Sequence, residues 1–125
     1  MNGFWKDRST LVTGATGLVG GWLVQRLLAA GAEHVIVTLG AKGAQVTESI
    51  GTMLVPSVPV DAVDTTAAGD AFNGGLACAL AAGMPLEKAV RQACLVGALS
   101  ATRLGAQPSL PTKDELDRFM KSEVR

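Results

Sequence analysis

The chain has 125 residues, 48% of them apolar and 18% charged, enough to bury roughly two thirds of its unfolded surface around a core. Lys and Arg total 11 and Asp and Glu total 11, with no basic cluster, which argues against nucleic acid as a partner. Charged and polar residues interrupt every apolar run short of the ~20 residues of a membrane span, and MNGFWKDRST lacks the apolar stretch of a secretory leader, so the expected setting is the cytoplasm.

Residues 9–13 (STLVT) have the pattern of a short buried strand running into a glycine turn. From residue 18 to 30 the period becomes helical, with Val19, Leu23 and Leu27 on the expected inward face, and Gly31 closes the helix. Residues 35–39 (VIVTL) read as a second strand, so strand, helix and strand form a parallel βαβ unit with a right-handed crossover. Residues 44–48 and 52–55 alternate on either side of Ser49, Ile50 and Gly51, as in an antiparallel hairpin at a sheet edge. Pro56 and Pro59 then mark a loop or an edge strand as far as Val63.

Three helices are expected after that: residues 69–82, ended by Gly83; residues 86–102; and a last one opened by the capping box Thr112-Lys113-Asp114-Glu115 and carrying Leu116, Phe119 and Met120. Cys78 and Cys94, with apolar neighbours on these helices, read as reduced core thiols, and the single histidine, His34, leaves little room for histidine chemistry. The expected fold is α/β, one domain over residues 1–125: a small layered sandwich with a parallel, Rossmann-like βαβ start, continued by an antiparallel hairpin and C-terminal helices.

Two phosphate-site signatures stand one helix apart. In TGATGLVG, Gly14 permits a tight turn, Gly17 lets a pyrophosphate approach the backbone and Gly20 lets helix and strand pack closely. Together with Phe4-Trp5 and Trp22-Leu23, this segment resembles the start of extended short-chain dehydrogenases/reductases, particularly the nucleotide-sugar dehydratases, over about the first 31 residues. The resemblance implies NAD as a ligand. The Asp or Glu that would hold the ribose hydroxyls is missing where Gly40, Ala41, Lys42 and Gly43 stand, however, and there is no tyrosine for that family's chemistry.

From about residue 32 onward, Asp64-Thr65-Thr66-Ala67-Ala68-Gly69-Asp70-Ala71-Phe72-Asn73-Gly74-Gly75 and Gly105-Ala106-Gln107-Pro108-Ser109 resemble the C-terminal part of ribokinase-like sugar kinases. In the first motif, Ala67, Ala68 and Gly69 would present backbone N–H groups as an anion hole for the phosphoryl group. A lone Asp at a helix start is ordinarily a cap, but within the whole motif Asp70 reads as derived from the general base. The resemblance further implies that Thr38, Gly40 and Gly43 form a loop that contacts ATP. It also implies that Asp64, Thr66, Ser100, Arg103, Gly105 and Ser109 surround a potassium ion, several through backbone carbonyls.

Two unlike family patterns in one chain, without the family's sugar-binding portion, lead to the expectation of a chimera with its seam near residue 31: an engineered or recombined scaffold that is not an enzyme. Two alternatives stand beside it. One is weak adenine-nucleotide or phosphate binding at the inherited glycine loops, near the ~1 mM level. The other is residual phosphotransferase activity. No cofactor is required on the first reading, while ATP, K+ or NAD would be weak ligands on the others. Self-association through an exposed sheet edge is the expected partner interaction.

Overall fold

A computed structural model describes residues 6, 8, 10–12 and 18–123, and Gly14 and Gly17 lie outside them. The chain divides into two compact units, Met1–Val55 and Pro56–Arg125.

The first unit holds strands β1 (Thr10–Val12), β2 (His34–Thr38), β3 (Ala44–Glu48) and β4 (Gly51–Val55), in sheet order β1-β2-β3-β4, and helix α1 (Leu18–Ala29). β1 lies parallel to β2, pairing Thr10 with Val35 and Val12 with Val37, as the crossover through α1 requires. β3 runs antiparallel to both of its neighbours, and the β3–β4 hairpin turns at Ser49 and Ile50.

Val35, Ile36 and Val37 are all buried, so β2 shows an unbroken apolar run where a half-covered strand would alternate. Leu27, Ala32, Val35 and Val37 form the core under α1, joined by Val24, Leu28 and Leu39. The expected inward face of α1 needs correcting: Leu27 is buried, but Val19 is 75% exposed and Leu23 38%. Apolar residues occur around most of this helix, so their spacing alone did not single out one face. The helix ends in a glycine motif, with Gly31 at φ 90°, its N–H on Leu28 O at 3.0 Å and the Ala32 N–H on Leu27 O at 3.0 Å.

The second unit holds helices α2 (Ala68–Ala81), α3 (Leu86–Ala101) and α4 (Lys113–Glu123), with a short 3-10 turn, Gln107–Ser109, before α4. α3 is its centre: Ala89, Val90, Ala93 and Cys94 are buried, and so is every residue from 96 to 101. α2 lies against it closely enough that a Cβ on Gly75 would come within 2.9 Å of Val96 Cγ2. α4 adds Leu116 to a cluster with Ala71 and Val96, flanked by Leu95 and Met120.

Of the two thiols, only Cys94 is buried, and burial pushes it up to about 11 despite the opposing charge of Arg91. Cys78 is exposed, a correction to the expected pair of core thiols, because it falls on the outer side of α2. Among the described residues, no helix is long and apolar enough to cross a membrane.

Candidate active site

The motif residues of the second unit converge on the start of α2. Ala67 occupies the cap position with φ −101° and ψ 5°, outside the extended region in which a capping side chain reaches its own helix, and no side chain caps the helix. The Ala68 N–H closes a turn onto Thr65 O at 3.2 Å, which takes it out of the anion hole expected from Ala67, Ala68 and Gly69, and the Ala71 N–H begins the regular ladder on Ala67 O at 2.8 Å. Among the described residues, nothing accepts from the N–H groups of Ala67, Gly69 or Asp70. Such a helix start combines open donors with the positive end of the helix dipole, an arrangement suited to phosphate.

Asp70 stands in the first turn of α2, exposed, and it makes no cap bond. It therefore does not serve as the N-terminal cap that a lone Asp would suggest. Its position places a carboxylate beside the open amides, within reach of a proton on a group brought to that helix end. Behind α2, a Cβ on Gly97 would lie 3.1 Å from Ala68 O, so α3 supports the backbone of the cradle at close range.

The predicted cation residues gather just upstream. Asp64 Oδ1 accepts from the Thr66 hydroxyl at 2.6 Å and the Thr66 N–H at 2.9 Å, and Oδ2 accepts from the Gly105 N–H at 2.9 Å across 41 residues of sequence. The Thr66 hydroxyl, then the Gly105 N–H, then the Thr66 N–H hold the Asp64 carboxyl below its usual range, keeping it anionic. The backbone N–H groups of Val63 and Asp64 bond to Ala101 O at 2.8 and 3.1 Å, tying this segment to the last turn of α3.

Ser100 and Ser109 are fully buried, with their hydroxyl oxygens 3.0 Å apart. Ser109 donates its only hydroxyl proton to Ala106 O at 2.7 Å, so Ser100 is the donor between the two serines. The Arg103 N–H bonds to Ser100 O at 3.1 Å, while the Arg103 guanidinium turns to Glu115 at 3.0 Å. The six residues thus form two hydrogen-bonded groups, Asp64–Thr66–Gly105 and Ser100–Ser109–Arg103, drawn from the segment before α2, the last turn of α3 and the loop after it.

A carboxylate, hydroxyls and carbonyls are the hard oxygen donors a potassium ion takes. The one cationic side chain in the set is paired elsewhere, so the residues fit the ion. Bound there, it would supply positive charge and rigidity at the turn leading into α2.

In the first unit, Thr38 ends β2, and Gly40–Lys42 form a 3-10 turn closed by the Leu39 N–H on Gly43 O at 2.8 Å and the Gly43 N–H on Gly40 O at 3.0 Å. Thr38, Gly40 and Gly43 therefore share one tight connection between β2 and β3. Gly20 lies in the first turn of α1; the rest of the glycine turn on which NAD would depend is outside the described residues. His34 lies in β2, its Nδ1 3.0 Å from Glu48 Oε1 on the neighbouring strand.

Residues 22–113 match the pfkB family carbohydrate kinase model. The chain belongs to the pfkB family of carbohydrate kinases. Ribokinase from Haemophilus influenzae is 42% identical over 91 residues, covering 73% of this chain and 30% of that protein. Fructokinase from Vibrio alginolyticus is 36% identical over 124 residues, covering 94% of this chain and 39% of its own length. The chain thus spans under two fifths of these relatives. Aminoimidazole riboside kinase from Salmonella enterica, solved with aminoimidazole riboside and an ATP analogue, superposes with a TM-score of 0.80 at 33% identity, over 90% of this chain and 42% of that one.

These matches overturn the expectation of an engineered or recombined scaffold without catalytic activity: the chain resembles sugar kinases at about 40% identity. The pfkB match starts at Trp22, inside α1 and ahead of the supposed seam, and the fructokinase alignment runs across it. The physical reason is that a strand, a tight turn and an apolar helix ended by glycine serve both families equally well, so the βα geometry at this point marks no boundary.

The sequence pattern gives Glu115 only as half of a capping box, and in the structure it also reaches Arg103. Its spacing of twelve residues from Arg103, across a loop, leaves no periodic signal.

Proposed function

We propose that this chain carries the phosphoryl-transfer end of an ATP-dependent carbohydrate kinase. The observation that carries the reading is the juxtaposition, at the start of α2, of unpartnered amides at Gly69 and Asp70 with the exposed Asp70 carboxylate. Asp70 takes the proton of a sugar hydroxyl as its oxygen attacks the γ-phosphorus. The new oxygen–phosphorus bond forms as the bond from the γ-phosphorus to the β–γ bridging oxygen breaks, and ADP departs. The amides of Gly69 and Asp70 face the charge that spreads over the transferred group.

The acceptor class is a sugar or ribosyl compound, in keeping with the ribokinase, fructokinase and riboside kinase relatives. Asp64, Thr66, Ser100, Arg103, Gly105 and Ser109 would hold a monovalent cation next to this helix start. Taken by itself, the first unit's turn at Thr38, Gly40 and Gly43 is proposed as a nucleotide contact from the family resemblance alone.

The test is a two-dimensional amide NMR titration of the chain with ATP, magnesium and potassium. The Gly69 and Asp70 amides are expected to shift and saturate near ~1 mM, the range for a few backbone contacts without the remainder of a closed pocket. Amides at residues 67–70 that ignore ATP would overturn the reading.

A further inference from the structure

Glu115 makes two sets of contacts with two different oxygens. Its Oε2 accepts from the Thr112 N–H at 2.7 Å and the Thr112 hydroxyl at 2.9 Å, closing the capping box of α4. Its Oε1 lies 3.0 Å from Arg103 Nη2, with both side chains about one third exposed. Capping needs only the first oxygen. The second ties α4 to the loop carrying Gly105 and Ser109, at Arg103, a member of the proposed cation set.

α4 is a firm support for that tie, since Leu116, the next residue, is buried against Ala71 and Val96. The loop is therefore held at two points two residues apart: Glu115 grips it at Arg103, and Asp64 Oδ2 grips it through the Gly105 N–H at 2.9 Å. Without the ion pair, residues 103–105 would keep the single backbone bond to Ser100 O and the one to Asp64.

We infer that Glu115 is a positioning residue for the monovalent-cation site, its ion pair with Arg103 holding residues 103–105 in the arrangement that joins them to Asp64. This rests on the cation reading proposed above. Glu115 itself is not a ligand; it acts through Arg103, and so links the seating of α4 to the affinity of the loop for potassium.

Glu115→Gln isolates the effect, because Gln also completes a capping box while the charge facing Arg103 is lost. The purified chain is titrated with potassium chloride at constant ionic strength, and the Gly105 and Ser109 amides are followed by NMR. In the unmodified chain they shift and saturate. In Glu115→Gln the midpoint rises roughly three- to fivefold, the scale of a partly exposed ion pair, while the α4 amides stay in place. Arg103→Gln gives the same rise, and the double variant adds nothing further, because both changes remove one interaction.

A Glu115→Gln midpoint equal to that of the unmodified chain overturns the positioning role and leaves the cation reading standing. Gly105 and Ser109 amides that ignore potassium in the unmodified chain overturn both. Should Glu115→Gln disturb α4, Arg103→Gln decides alone, since it leaves the cap untouched.

Discussion

Helices α2 and α4 meet the same difficulty, the unpaired amides of a first turn, in opposite ways. At α4, Thr112 and Glu115 close a reciprocal cap, with the Glu115 N–H also 3.4 Å from the Thr112 hydroxyl. At α2, Ala67 supplies no side-chain acceptor and holds a backbone angle that would misdirect one, so the amides of Gly69 and Asp70 stay open. One start is sealed by its own residues and serves stability. The other is left bare among the described residues, and a bare helix start flanked by a carboxylate suits the phosphoryl group proposed above.

The largest expected break in this contrast comes from Asp70→Asn. On the phosphoryl-transfer reading proposed above, sugar-dependent ADP release, measured by a coupled assay, falls about 10²- to 10⁴-fold, the usual contribution of a general base. Thermal stability stays within about 0.5 kcal/mol, since the side chain lost is exposed and, among the described residues, has no partner. A rate unaffected by the change would reduce Asp70 to a dipole partner like Asp114 of α4.

Gly75→Val comes next. It drives a branched side chain into Val96 where even a Cβ would sit at 2.9 Å, and urea unfolding should show a loss of about 1–3 kcal/mol from overpacking.

Thr112→Ala removes the seal of α4 and costs about 1 kcal/mol in the same assay, with ATP-induced shifts at α2 unchanged.

Acid pH gives the gentlest probe. The Thr112 N–H, then the Arg103 guanidinium, then the Thr112 hydroxyl lower Glu115 from 4.5 to about 2. A carboxyl depressed in the folded state stabilises the fold above its unfolded value, so this contribution is present above pH 4.5 and is lost as pH falls toward about 2. Acid unfolding followed by circular dichroism should lose its dependence on this group in Glu115→Gln. An identical acid limb in the two proteins would detach the Glu115 charge from stability.

Much of this contrast was legible in the residues. The pair Thr112 and Glu115 announces a cap by spacing alone, and Gly31 and Gly83 place helix ends to within a residue, because these signals are local to the backbone. The β3–β4 hairpin followed from alternation in the same way. The inward face of α1 did not, since an apolar helix offers several faces and only the sheet beneath it chooses Leu27 with Val24 and Leu28. The bonds from Asp64 to Gly105 and from Arg103 to Glu115 depend on how a loop closes over a helix end, which residue spacing does not encode. The motif around Asp70 pointed to phosphoryl chemistry, while the strand and helix ahead of it misled because their geometry is shared by unrelated nucleotide-binding folds.

The two buried serines carry a consequence of their own. Ser100 gives its proton to Ser109, and Ser109 gives its proton to the carbonyl of Ala106, so both hydroxyl hydrogens are used inside the protein and their dipoles point one way. What the buried pair leaves unused is oxygen lone pairs, with no hydroxyl hydrogen spare. The pair is polarised: on the cation reading proposed above it offers lone pairs to a positive ion, and it has no hydroxyl hydrogen left to turn toward an anion.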